Sequence, residues 1–185
     1  INYIIVHNTR KALADIAFLH SSYDLNNFNY FAVTGTNGKS TTVSLLHHLL
    51  REAKKNSTLL STVEIKINDE VIEEPYNTTP GVLKIVDILD ESKKQNVDFI
   101  NLEVSSHGIK QKRIENFKFD LISYTNITRD HLDYHDSFED YKQTKLSLVN
   151  HLKENGKIIV NIDKISLDDF KDLDRNKIIT YGFSE

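Results

Sequence analysis

Residues Phe31–Thr42, FAVTGTNGKSTT, constrain this chain more than any other stretch. An apolar, β-branched run stops at Gly35, a short glycine-containing loop follows, and from Lys39 the apolar residues Val43, Leu45, Leu46, Leu49 and Leu50 recur at helical spacing. A buried strand feeding a helix through such a loop is the unit of a parallel sheet, and it presents backbone amides and a helix N-terminus to an anion. Gly35 and Gly38 let the backbone approach that anion, Lys39 adds a point charge, and Ser40 offers a hydroxyl to a divalent cation. The loop departs from the usual phosphate-loop spacing by one feature. Val33 occupies the position where the Walker pattern has its first glycine.

The rest of the chain repeats the alternation. Strands are predicted at 30–34, 58–62, 98–103, 120–125, 157–161 and 177–181, and helices at 38–53, 81–95 and 138–153, with a short one after Ser166. Residues 63–72, VEIKINDEVI, alternate around Asn68-Asp69 and read as a hairpin. The expectation is a doubly wound α/β fold: a mostly parallel sheet of about six strands with flanking helices and ligands at the strands' carboxyl ends. Ahead of it, residues 1–29 read as an entry segment with a strand at YIIV, a helix from Arg10 to Leu19 and a polar DLNNFN connection.

Composition narrows the function. At 39% hydrophobic and 27% charged residues, 185 residues suffice for one cored domain rather than a disordered segment. A formal charge of −4 leaves no basic footprint for nucleic acid, and no apolar run approaches the ~20 residues of a membrane span. There are no cysteines, so thiolate chemistry and disulfides are excluded and a cytoplasmic setting is expected. The chain starts at Ile1 and contains no methionine, so it reads as a fragment.

Two further segments carry polar chemistry. NLEVSSHG, 101–108, ends a strand on Glu103, where a carboxylate facing the phosphate loop could complete a Mg²⁺ site of oxygen ligands; a surface carboxylate beside a turn is the competing reading. Its Ser-His pair lacks the G-x-S-x-G elbow of a hydrolase nucleophile. In TNITRDHLDYHDSFEDYKQTK, 125–145, His131 and His135 have the i,i+4 spacing of half a zinc site, but no third ligand accompanies them, and His131 alone reaching a divalent cation is the better reading. Ser137 caps a helix whose apolar face includes Phe138, Tyr141, Leu148, Val149 and Leu152, and Lys145 lies four residues from both Tyr141 and Val149. Such a lysine ordinarily snorkels to water; if desolvated, its pKa falls and the neutral amine can take up CO₂ as a carbamate, turning a cation into an anionic metal ligand.

These residues together resemble the Mur ligases of peptidoglycan synthesis, nearest to the MurE type. The likeness runs from about Tyr3 to Asp163 through GTNGKSTT, NTTP, EVSSHGIKQKR and TNITRDHLDYH in that order. GTNGK alone is shared with related ligases and folylpolyglutamate synthases, whereas the later motifs are specific. The resemblance implies a P-loop NTPase-like central domain that binds ATP and Mg²⁺. Gly35, Thr36, Asn37, Gly38, Lys39, Ser40 and Thr41 would hold the phosphates, with Asn126 at the nucleotide. Ser40 and Glu103 would ligate one Mg²⁺, and His131 with carbamylated Lys145 a second. Asn77, Thr78, Thr79, Ser105, Gln111 and Arg113 would hold a muramoyl-peptide.

The implied reaction adds the third amino acid to UDP-N-acetylmuramoyl-L-alanyl-D-glutamate (UDP-MurNAc-L-Ala-D-Glu) through an acyl phosphate, with UDP-MurNAc-dipeptide and an amino acid as partners of a cytoplasmic monomer. Family members also carry an N-terminal domain for the UDP portion and a C-terminal domain for the incoming amino acid. On that pattern residues 1–29 are the tail of the first domain and its linker, residues 30–185 are the central domain, the third domain is absent, and the chain alone is inactive. Ser40 departs mildly from the threonine common in MurE enzymes. The competing readings are a MurD-like ligase and a standalone nucleotide-binding module without catalysis.

Overall fold

The computed structural model describes residues 3–21, 28–130 and 134–183. One eight-stranded sheet runs through it: β1 (Asn29–Thr34), β2 (Ser57–Leu60), β3 (Ile65–Ile67), β4 (Glu70–Glu73), β5 (Phe99–Glu103), β6 (Phe119–Tyr124), β7 (Leu152–Asn161) and β8 (Ile178–Tyr181). The spatial order is β4-β3-β2-β5-β1-β6-β7-β8, antiparallel only where β3 meets β2 and β4. The helices are α1 (Thr9–His20), α2 (Lys39–Glu52), α3 (Val82–Lys94), α4 (Ser106–Lys110) and α5 (Phe138–Leu146).

The doubly wound α/β expectation holds, with eight strands rather than six. The two extra strands are those of the expected hairpin, which pairs onto the edge of the main sheet through β3 and β2. Its turn forms because Asn68 adopts φ 55°, a left-handed conformation that asparagine tolerates. Asn68 Oδ1 accepts from the Ser57 amide and from Arg51 Nη1, both at 3.1 Å, while Arg51 also grips Asp69. The hairpin is thereby tied to the far end of α2.

Period-two alternation sets the two faces. Tyr30 and Ala32 of β1 point into the main core with Leu60, Ile100, Leu102 and Ile122, while Val33 points the other way onto Val43 of α2 and Leu59 of β2. On the main-core side α3 buries Val82, Ile85, Val86, Ile88 and Leu89 at helical spacing, and Asn96 at φ 53° ends it in a left-handed cap. There α1 buries Ala14, Ala17 and Phe18, with Phe18 edge-on to Phe117 at 5.4 Å.

Two further expectations need correction. The helix predicted over 138–153 closes at Leu146, tightens into a 3₁₀ turn over Ser147–His151, and gives way to β7 at Leu152. Ser147 Oγ donates to Thr144 O at 2.7 Å and Tyr124 OH to Leu146 O at 3.3 Å, so side chains take carbonyls that a continuing helix would need. Among the described residues the YIIV run pairs with no strand, and Tyr3, Ile4 and Ile5 are exposed. Most of DLNNFN lies outside the described residues.

Candidate functional site

The strand order reverses at β1. The chain leaves β1 for β2 on one side and returns through β5 to β6 on the other, so the carboxyl ends of β1, β5 and β6 adjoin. The parallel register sets Val33 opposite Glu103 and Thr34 opposite Tyr124, bringing the loops after all three strands to one place. An open α/β sheet binds ligands at such a switch point.

The glycine loop is held from below. Thr36 N–H donates to Asn126 O at 2.8 Å, Asn37 N–H to Asn126 Oδ1 at 3.0 Å, and Asn126 Nδ2 back to Asn37 O at 3.0 Å. Thr125 Oγ1 donates to Asn37 O at 2.7 Å. Asn126 thus grips the loop's own peptide groups, and the amides facing away from it are held in place. Gly38, at φ 82°, turns the chain into α2, whose first turn carries Lys39, Ser40 and the exposed Thr41. Gly35 is required by contact: a Cβ there would lie 1.9 Å from Thr125 Oγ1, at φ 151°. Gly35→Ala is therefore expected to cost roughly 2 to 5 kcal/mol through overpacking and backbone strain. Thermal denaturation should show a midpoint lower by roughly 10 °C.

Three charged side chains converge above the loop. Lys39 Nζ donates to Thr36 O at 2.9 Å and stands 3.9 Å from Glu103 Oε1. Burial lowers the Lys39 pKa, opposed by the charges of Glu103 and Asp130. Glu103, 1% exposed, has its other oxygen bound by Thr62, whose amide and hydroxyl both donate to Oε2 at 2.9 Å. Lys145 does not snorkel. It is 1% exposed, donates to Gly35 O at 2.8 Å and lies 4.8 Å over the Tyr141 ring. Burial first, and the Lys39 charge second, bring its pKa down to about 7.

Lys39 and Lys145 open into a cleft of about 360 Å³ lined also by Asn77, Thr78, Ser105, Gln111 and Arg113 among others. Thr79 stands behind that wall, fully buried, with Oγ1 donating to Glu103 O and accepting from the Ser105 amide, each at 3.0 Å. The Arg113 guanidinium ties Thr79 O to Gln111 Oε1, joining the two substrate-side segments.

His131, the remaining sequence candidate, lies outside the described residues. His135, its partner in the disfavoured zinc reading, has both ring nitrogens engaged, Nε2 by Ser106 Oγ at 3.0 Å and Nδ1 by Asp140 Oδ2 at 2.9 Å. Lys110 and then His135 hold the Asp140 carboxyl down at about 2.

The donor set fits a hard divalent cation of the magnesium kind. Among the described residues no group of three or more His, Cys, Asp or Glu could hold a metal by themselves. What the loop offers is one carboxylate and one hydroxyl, Glu103 and Ser40, beside an anion-binding turn, and Mg²⁺ is characteristically held by one or two carboxylates with phosphates and water. Lys145 as an ammonium would repel such an ion; as a carbamate it would join its ligands.

Sequence reasoning missed Thr62, Thr125 and Tyr141, whose hydroxyl bonds Thr36 Oγ1 at 3.0 Å. Thr62 was accessible in principle, because it is the last residue of the strand predicted at 58–62 and so stands at its carboxyl end.

A family model described as the Mur ligase middle domain matches residues 33–185. The UDP-N-acetylmuramyl-tripeptide synthetase 2 of Oceanobacillus iheyensis is 36% identical, covering 98% of this chain and 38% of the relative. The UDP-N-acetylmuramoyl-L-alanyl-D-glutamate--2,6-diaminopimelate ligase of Fusobacterium nucleatum is 35% identical with the same coverage. A solved structure of a ligase of that latter name superposes with TM-score 0.82 at 28% identity, over 98% of this chain and 38% of that one. A folylpolyglutamate synthase/dihydrofolate synthase with Mn, AMPPNP and L-glutamate bound shares the fold, with TM-score 0.69 at 18% identity over 97% of this chain and 49% of its own. The chain spans about two fifths of the length of the curated relatives it matches.

Proposed function

This chain belongs to the Mur ligase family through its middle domain, and from that premise we propose that it is the ATP-binding part of a MurE-type ligase. The reaction proposed is addition of the third amino acid to UDP-MurNAc-L-Ala-D-Glu. The observation that supports it best is one cleft lined by Lys39 and Lys145 together with Ser105, Gln111 and Arg113, with the Glu103 carboxylate 3.9 Å from the Lys39 ammonium.

The chemistry follows from charge. A carboxylate attacking the γ-phosphate of ATP brings two anions together, breaks the bond to ADP and forms an acyl phosphate; the incoming amine then attacks the acyl carbon, forming the amide with loss of a proton and expelling inorganic phosphate. The loop amides from Gly35 to Thr41 and the N-terminus of α2 receive the phosphates, and Lys39 follows the negative charge on the transferring group. Ser40 and Glu103 would hold one Mg²⁺, and carbamylated Lys145 with His131 a second. Bound there, these ions would neutralise the equatorial phosphoryl oxygens. Arg113 and Gln111 set the substrate's position, with Asn77, Thr78 and Ser105 supplying polar contacts. Thr79 holds Ser105 in place.

The test is phosphate release from ATP, assayed in the whole protein with UDP-MurNAc-dipeptide and candidate diamino acids. Release dependent on both is expected, and release dependent on neither would overturn the reading. Arg113→Lys separates the cleft's two ends, because an ammonium cannot bridge Thr79 O and Gln111 Oε1 as the planar guanidinium does. It should raise KM for the muramoyl-dipeptide about tenfold or more. In the same steady-state assay, KM for ATP should stay within about twofold.

A further inference from the structure

The connection between β2 and β3 is built around one side chain. Ser61, fully buried, donates from its amide and hydroxyl to Glu64 O at 3.2 and 2.9 Å, while its Oγ accepts from the Val63 and Glu64 amides at 3.2 Å each. These bonds close a tight turn with Thr62 at its tip. The far end of β3 is pinned too. His47 and Arg51 of α2 hold Asn68 and Asp69 in the β3–β4 turn, which ties β3 to the helix that carries Lys39.

Thr62 is aimed at one atom. β2 and β5 pair in parallel with Leu60 opposite Leu102, which places Thr62 just beyond the end of its strand beside Glu103. Its amide and hydroxyl both reach Glu103 Oε2 at 2.9 Å, while Oε1 stands 3.9 Å from Lys39 Nζ. A carboxylate buried this deeply needs donors to offset its lost hydration, and two charge-assisted bonds on one oxygen also fix its rotation.

We infer that Thr62 is a positioning residue for the cation site: it occupies Glu103 Oε2, so that Oε1 alone is offered to a divalent cation beside the phosphate loop. The inference rests on the reading of Glu103 as a Mg²⁺ ligand. Partners that orient a ligating carboxylate typically account for 10- to 100-fold in metal affinity. Thr62 stands at the exposed lip of the cleft, so its side chain can be changed without opening the core.

The experiment uses Mn²⁺ as the probe, titrated into the whole protein with the nucleotide analogue AMPPNP and read by electron paramagnetic resonance. Thr62→Val keeps the shape and the amide but removes the hydroxyl, and it should weaken Mn²⁺ binding by about 10-fold or more. Its affinity for AMPPNP without metal should match the wild type. Thr62→Ser, which restores the hydroxyl, should recover Mn²⁺ affinity to within about threefold. Equal Mn²⁺ affinity in wild type and Thr62→Val would overturn the inference, as would a Thr62→Ser variant no better than valine or an equal loss of nucleotide affinity without metal. A wild-type protein that takes up no Mn²⁺ with nucleotide would instead overturn the phosphate-site reading itself.

Discussion

Lys39→Ala is expected to lower turnover about 10³-fold and to weaken binding of ATP with its divalent cation about tenfold or more, while leaving the fold intact. The asymmetry follows from where Lys39 stands. Among the described residues its ammonium contacts the loop carbonyl of Thr36 and the edge of Glu103, both polar groups of the site rather than of the packed core. It sits in the first turn of α2, where a cation opposes the helix dipole, and burial already lowers its pKa. Such an arrangement is costly to the free protein and favourable once phosphate charge arrives. Removing the lysine therefore takes away an interaction that grows as charge builds on the transferring phosphoryl group. Glu103 keeps its two Thr62 bonds, which is why the melting midpoint should move by no more than a few degrees. Initial-rate assays, nucleotide titration and calorimetric melting together check this. Unchanged nucleotide affinity and turnover in Lys39→Ala would remove phosphate binding from this loop.

The parts of this site that could be read from sequence are those set by local spacing. The glycine loop, Lys39 and Ser40 lie within a few residues of one another, and the strand before and the helix after identify their geometry. Lys145 was legible through its helical neighbours Tyr141 and Val149 as lying on or beside the apolar face, while its burial, the alternative to snorkelling, is seen only in the structure. What could not be read depends on partners distant in the chain. Thr62 and Glu103 are 41 residues apart and meet only because β2 and β5 pair in a particular register. The hairpin was visible as a hairpin, but its docking as two added strands depends on Arg51 and His47 reaching across from α2. The end of α5 was misplaced because apolar residues continue at helical spacing through Leu152, while side-chain bonds to Thr144 O and Leu146 O end the helix six residues earlier. Periodicity sees the apolar face and not the carbonyls.

Lys145→Met carries the second large effect and has a signature in stability as well as in activity. The buried amine has a pKa of about 7 in the folded protein against 10.5 when solvated. Below about pH 7 both folded and unfolded chains hold the proton, and the cost of burying the cation is constant. Between about 7 and 10 the unfolded chain still holds a proton that the folded chain has shed, so the wild type gains stability as pH rises. Methionine fills the same space without titrating. In CO₂-free buffer, Lys145→Met should therefore be the more stable protein at pH 6, and its advantage should shrink by about 3 kcal/mol by pH 9. Denaturant titrations at the two pH values read this directly. Activity should go the other way. The neutral amine that burial creates is the species that reacts with CO₂, and a carbamate beside Gly35 would supply the anionic ligand that Lys145 as an ammonium cannot. The variant should lose about 10²-fold or more of its phosphate-release rate at every pH. Wild-type protein under carbon-13-labelled CO₂ should show a carbamate resonance that strengthens from pH 6 to 8 and is missing in Lys145→Met. A resonance that persists in the variant would place the carbamate on another amine, and a pH-independent stability difference would mean that Lys145 stays charged in the folded protein.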